Sequence, residues 1–357
     1  MLGAAEMELP PRRPYVQNVT TSSAVIAWVG KEPEPGCVKY GETPRLELKE
    51  TDNRAGERHA VTLSRLKPSS TYYYRVGGAD EPSEINYFRT APPGENTPFN
   101  FAVIGDSGDE GRGQVAVANL LRRLGPDLIL HTGDVVYPRG EERHYDRRFF
   151  APYGELIGKV PLFPTLGNHD VETKNGSPFL TNFHLPRNEE QGVQRYYSFD
   201  WGEAHFVALD SELYHDDDGG SAKEQKAWLE RDLEGTRRSC WKIVFFHRPV
   251  YSSSKHGGDR KIREDLEPTL VRHHVHLVFS GHDHDYERTK PIEGVTYVVS
   301  GGGGKDLYPA RKNRWTAFSR SSHHAVLVHI NGEHLYLEAI ETNNTVMDRL
   351  DLDRGRS

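Results

Sequence analysis

Five times along this chain an apolar, β-forming run stops and the next residue is one that binds metal ions. Phe99 to Gly105 ends on Asp106, Asp127 to Gly133 on Asp134, Val160 to Gly167 on Asn168, Trp241 to Phe246 on His247, and Val275 to Gly281 on His282, with His284 two residues on. Such runs read as buried strands. Donors at strand ends line up along one sheet edge, where open α/β sheets build their sites. A regular strand would send His282 and His284 to the same side; an irregular loop splays them toward two different ions. One such pair reads equally well as solvated surface histidines, and the recurrence decides against that.

Composition narrows the partners. A formal charge of −7 and a pI near 6.2 leave no electrostatic footprint for nucleic acid, and no basic run suggests a membrane surface. No apolar stretch is long enough to span a bilayer. Cys37 and Cys240 are the only cysteines and fall in different proposed domains, so both read as buried, inert thiols. Met1 to Glu6 is too short for a signal peptide, and its small residues also suit the remnant of a cleavage site.

Residues 1–12 read as a loose arm. Between residues 13 and 90, short β-like runs (Ser23 to Val29, Cys37 to Tyr40, His59 to Leu63, Tyr72 to Val76, Asn86 to Thr90) alternate with turn residues, which predicts a small β-sandwich. Leu66 to Tyr72 resembles the tyrosine corner of fibronectin type III domains, with the Tyr72 hydroxyl bonded back to the preceding loop. Residues 91–98, with two adjacent prolines, read as a linker. From 99 to 341, strands alternate with helical stretches at 114–123, 223–233 and 261–271, and a hairpin turns across Asn331-Gly332. The predicted fold is α/β, a two-sheet sandwich behind a small all-β domain, with 342–357 as a C-terminal tail.

The donors Asp106, Asp134, Tyr137, Asn168, His247, His282 and His284 are too many for one metal ion that must keep an open position. They suit two ions sharing a carboxylate bridge, best supplied by Asp134 because Tyr137 three residues on reaches one of the same ions. Asp106, phenolate Tyr137, the bridge and His284 make an anionic, oxygen-rich site suited to Fe(III). Asn168, His247, His282 and the bridge suit a divalent ion such as Fe, Zn or Mn.

The segments Gly105-Asp106-Ser107-Gly108, Gly133-Asp134-Val135-Val136-Tyr137, Gly167-Asn168-His169-Asp170, Val244-Phe245-Phe246-His247 and Gly281-His282-Asp283-His284 together resemble the five-motif signature of purple acid phosphatases, within the calcineurin-like metallophosphoesterases. Related phosphatases and phosphodiesterases of the superfamily carry a histidine where Gly108 stands and no tyrosine at Tyr137, so the purple branch is favoured. The resemblance implies hydrolysis of small phosphate monoesters, and of anhydrides by the same chemistry, through in-line attack of a metal-bound hydroxide. It implies that His169 stabilises the transition state or protonates the leaving group. The adjacent Asp170 is expected to hold its ring. It matches His256 to a substrate-contacting histidine. Enzymes of this type are mostly exported, so a secreted or periplasmic location is expected. A phosphodiesterase with the same centre, or a binding protein retaining an inactive metallophosphatase domain, are the alternatives; oligomeric state is left open.

Several features read as structural. His273, His274 and His276 read as packing, and His323 and His324 as flanking residues at most. Arg248 reads as part of a surface ion pair. Gly301 to Gly304 lacks the helix and lysine of a phosphate loop and reads as a turn rich in left-handed residues. Asp216 to Asp218 reads as a solvated loop, and Glu287 and Arg288 as supports behind the site.

Overall fold

The structure, a computed structural model, describes residues 12–354 apart from 78–82, 95–96, 189–191, 193, 216–219 and 237–239. The run Asp216 to Asp218 lies outside the described residues.

The N-terminal part is built from strands Tyr15–Gln17, Ser23–Gly41, Leu48–Ser64, Thr71–Val76 and Asn86–Arg89. Two of these are far longer than the sequence pattern suggests. Ser23 to Val29 pairs with residues 58–64 and with Tyr15–Gln17; beyond irregularities at Val29/Glu34 and Pro35/Gly36, the same strand pairs with residues 48–52 and with Thr71–Val76. Proline and the exposed acidic residues mark a bend in the register and not a strand end. Tyr72 Oη accepts the Lys67 N–H at 3.0 Å, the bond expected of the corner. Cys37 is half-buried, against the expectation of a buried thiol, while Cys240 is buried.

Of the expected arm only Arg12 is described, and it is held, as is the start of the expected linker. Arg12 donates to Asp146 and to Asn182 Oδ1, each at 2.6 Å, and its guanidinium lies 3.8 Å over the Phe150 ring. Ala91 is buried and exchanges backbone bonds with Thr20 and Ser69, and Pro92 O accepts from Gly202 N. Tyr74 Oη donates to Gly158 O at 2.7 Å, fastening the β-domain onto the larger one.

The larger part is two facing sheets. One runs in the order Val346–Asp353, His334–Glu341, His324–Asn331, Phe99–Ile104, Leu128–His131, Leu162–Pro164. The other runs Thr316–Arg320, Tyr286–Thr289, Thr296–Ser300, Leu277–Ser280, Trp241–Phe245, Ala204–Ala208, Tyr197–Trp201. The strands leading to the site are parallel within each sheet. Alternation divides their side chains. Phe206, Ile243, Phe245, Leu277 and Phe279 point into the sandwich, where Phe101 meets Phe206 edge-on at 5.1 Å. Val207, Val244 and Val278 point outward beneath helices Gly220–Gly235 and Arg260–Arg272. Asp259 caps the second helix by accepting from Ile262 N.

The expected tail is partly a strand. Val346–Asp353 pairs antiparallel with His334–Glu341 at the sheet edge. Its leucines, Leu350 and Leu352, alternate with Arg349, Asp351 and Asp353, and so much charge on one face hides the strand in the sequence.

Candidate metal centre

At the carboxyl ends of the parallel strands the backbone lacing continues into the loops. Asp106 N donates to Gly133 O, Ser107 N to Asp134 O, Thr165 N to His131 O and Gly281 N to His247 O. The glycine before Asp106, Asp134, Asn168 and His282 follows from this closeness. A Cβ on Gly167 would run into Asp134, and one on Gly281 into the Asp106 carboxylate. Asp106, Asp134 and His282 themselves have φ of 58°, 52° and 70°, a left-handed conformation that costs about 1–3 kcal/mol for residues other than glycine and is retained where structure over-determines it.

All seven expected donors converge. One oxygen or nitrogen from each of Asp106, Asp134 and His247 lies within 4.8 Å of the others. Tyr137 Oη is 3.2 Å from both Asp106 Oδ1 and His284 Nε2. His247 Nε2 is 3.1 Å from Asn168 Oδ1, 3.2 Å from His282 Nδ1 and 3.4 Å from Asp134 Oδ2. The imidazoles are oriented from behind. His247 Nδ1 donates to Thr132 O at 2.9 Å and His284 Nδ1 to Asp306 O at 2.8 Å, so each turns its Nε2 toward the cluster.

Without a cation this is an unfavourable assembly. Burial, together with the Asp134 charge, pushes the Asp106 carboxyl well above the usual range. Burial and the two carboxylates likewise raise Tyr137. Burial lowers His247, but Asp134 outweighs it and lifts the group to about 10; burial and the His247 charge drive His282 down to about 2. Converging lone pairs and opposed buried carboxylates fit a pair of cations, and oxygen predominates on the Asp106 and Tyr137 side and nitrogen on the His247 and His282 side.

Position 108 has no room for a side chain. A Cβ on Gly108 would collide with Val135 O, and Gly108 O accepts the Tyr137 N–H at 3.0 Å. No imidazole fits there, and Tyr137 reaches the same cluster from the facing loop.

His169 borders the centre. Its Nδ1 donates to Pro138 O at 2.5 Å and its Nε2 lies 3.9 Å from Asp134 Oδ2. Asp170, expected to hold that ring, does something else. Its carboxylate accepts N–H groups from Val135, Val136 and Gly167 at 3.0–3.3 Å, tying the Asp134 loop to the Asn168 loop. The ring of His256 is 4.5 Å from that of His282, and its backbone N–H is fixed by Asp283. Arg248 is paired with Glu212 at 2.9 Å in a partly buried position instead of on the surface.

Gly301 to Gly304 is not a left-handed turn, since none of the four has positive φ. These glycines are required by crowding. A Cβ on Gly301 would meet Asp283 O, on Gly302 Ser322 O, on Gly303 Gly105 O, and on Gly304 Ser107 O at 2.6 Å. The strap continues into three residues that the sequence reading missed. Lys305 N donates to Asp106 O, Asp306 O holds His284, and Tyr308 stacks on the His284 ring at 4.1 Å. The run of four glycines ahead of them was the available signal. His324 is buried against Ser300 Oγ, and His276 packs on Trp241 while accepting Lys242 N.

The profile of calcineurin-like phosphoesterases matches residues 99–286, that of the purple acid phosphatase N-terminal domain residues 11–90, and that of the iron/zinc purple acid phosphatase-like C-terminal region residues 294–349. The chain belongs to the purple acid phosphatase family. Purple acid phosphatase 18 of Arabidopsis thaliana is 30% identical over 366 residues, covering 91% of this chain and 79% of the relative. Purple acid phosphatase 21 of the same plant is 33% identical over 301 residues, and the match spans 75% of this chain but 65% of the relative. A solved purple acid phosphatase from yellow lupin seeds superposes with a TM-score of 0.84 at 22% identity, over 95% of this chain and 74% of that one, which shows the shared two-sheet fold.

Proposed function

We propose that this purple acid phosphatase is a binuclear phosphomonoesterase acting on small phosphate esters, and on anhydrides by the same chemistry, at acid to neutral pH. The observation that carries this is the convergence of Asp106, Asp134, Tyr137, Asn168, His247, His282 and His284 at the strand ends. Asp134 would serve both ions; Asp106, Tyr137 and His284 would hold Fe(III), in line with the iron/zinc name of the matching C-terminal family, and Asn168, His247 and His282 would hold a divalent ion. When bound, the two ions polarise a phosphoryl oxygen and make a water nucleophilic in that pH range.

The chain's own residues do the rest. Asp170 fixes the relative position of the Asp134 and Asn168 loops. His169, one-third exposed and anchored through Nδ1, holds Nε2 3.9 Å from Asp134 Oδ2 and in its imidazolium form donates the Nε2 proton to the departing alkoxide. His256, exposed beside His282, contacts the phosphoryl oxygens or the leaving group.

The test joins a visible spectrum to metal content and hydrolysis. About two metals per chain including iron, an absorption band in the middle of the visible range, and faster turnover of p-nitrophenyl phosphate than of its bis-ester are expected. At most one metal per chain, with hydrolysis unchanged in Asp134→Ala, would overturn the reading.

A further inference from the structure

We propose that Lys305 tunes the iron side of the centre by placing its ammonium over the ring of Tyr137. The inference rests on the reading of Tyr137 as a ligand to Fe(III). Lys305 follows directly on the four-glycine strap, and its backbone N–H donates to Asp106 O at 3.0 Å. From that anchor the side chain reaches over Tyr137, with Nζ 5.2 Å from the phenol ring centroid. Its far end is fixed by Asp109 Oδ1 at 2.8 Å. Both ends of Lys305 are therefore tied to the loop that carries Asp106, and Tyr137 N is bonded to Gly108 O of that loop. The cation is held over the ring by geometry.

A cation over an aromatic face stabilises the ring's π electrons, by more when the ring carries phenolate charge and is shielded from water. Tyr137 is 3% exposed and the Lys305 side chain about 29%. Stabilising the phenolate donor orbitals raises the energy needed to move an electron from tyrosinate to Fe(III). It also weakens donation to the metal, which favours the reduced ion. Asp109 opposes both effects, because its carboxylate offsets part of the ammonium's charge. Lys305 and Asp109 are thus partners in one ion pair with opposite electronic consequences for the same ring.

This opposition provides the test. In metal-loaded protein, Lys305→Gln moves the visible band to longer wavelength by about 10 nm or more and lowers the iron reduction potential. Asp109→Asn keeps the cation and moves the band the other way, and Lys305→Arg restores the wild-type position. Metal content by mass spectrometry confirms equal loading, and the Asp109→Asn and Lys305→Arg forms keep the test open if Lys305→Gln fails to load. A pair that merely holds the loops together would shift both broken-pair variants in the same direction, which would overturn the proposal, as would a band unmoved in Lys305→Gln. Absence of a visible band from the loaded wild-type protein would instead remove the tyrosinate reading beneath it.

Discussion

On one side of Asp134 the proposed ligands Asp106, Tyr137 and His284 are 0%, 3% and 5% exposed; on the other, His247 is closed off while Asn168 and His282 are half-buried. The two halves come from the same device, strand ends at one sheet edge, but are finished differently. The oxygen-rich half is covered by the strap of Gly301 to Tyr308, which contacts Asp106, His284 and Tyr137 in turn. The nitrogen-rich half is less buried, with the exposed His256 beside His282 and the partly exposed His169 beside the shared Asp134. On the proposed function, the more buried side would keep its ion in place and the less buried side would turn its ion toward substrate.

The largest effect should come from the residue both halves share. Asp134→Ala is expected to reduce hydrolysis of p-nitrophenyl phosphate on the order of 10³-fold and to lower the content of both metals. Retention of one tightly bound ion with its colour would show that the closed half is independent of the bridge. Brief treatment with a chelator sharpens the same contrast. Activity should fall before colour does, because the less buried half releases its ion first, and simultaneous loss would remove the distinction between the halves.

The less buried half is where substrate chemistry should be felt. His169→Ala is expected to lower kcat by about 10²-fold with both metals retained. His256→Ala should act less, mainly through a KM raised several-fold. If His256→Ala instead reduced metal content, its contact with His282 would be holding the ligand and not meeting substrate.

Much of this contrast was legible in the sequence, and the missing part has a physical reason. Each donor that ends an apolar run announces itself, because burial forces β-formers into the strand and close approach of loops forces glycine before the ligand, as at Gly167 and Gly281. The closed half's cover had no such signature. Tyr308 and Asp306 act through a ring stack and a backbone carbonyl, interactions available to many residue types, so their identities carry little signal. Adjacency to His169 points to that ring as the partner of Asp170, while the four-residue helix Asn168–Val171 turns the carboxylate toward the Asp134 loop. The long bent strands of the β-domain escaped for a related reason. Pairing through Glu34 and Pro35 depends on partners in Leu48–Ser64, which local pattern does not reveal.

The smallest expected effect lies away from both halves and fixes the pH range in which they should be compared. His205, on Ala204–Ala208, stands directly across from Asp200 and bonds it at 2.8 Å, while its Nε2 is 2.8 Å from Asp232. Burial lowers the imidazole's pKa, but the two carboxylates outweigh it and raise the group to about 9. With a folded value above the unfolded one of about 6.5, the stabilisation is complete below pH 6.5 and is lost as pH rises through about 9. Allowing for the exposure of Asp200, it is worth about 2 kcal/mol. Denaturant unfolding between pH 6 and 9.5 should show that decline, and His205→Gln should flatten it while lowering stability at pH 6. An alkaline loss of activity that persists unchanged in His205→Gln would then belong to the centre, and metal content and colour in that variant would show which half fails first.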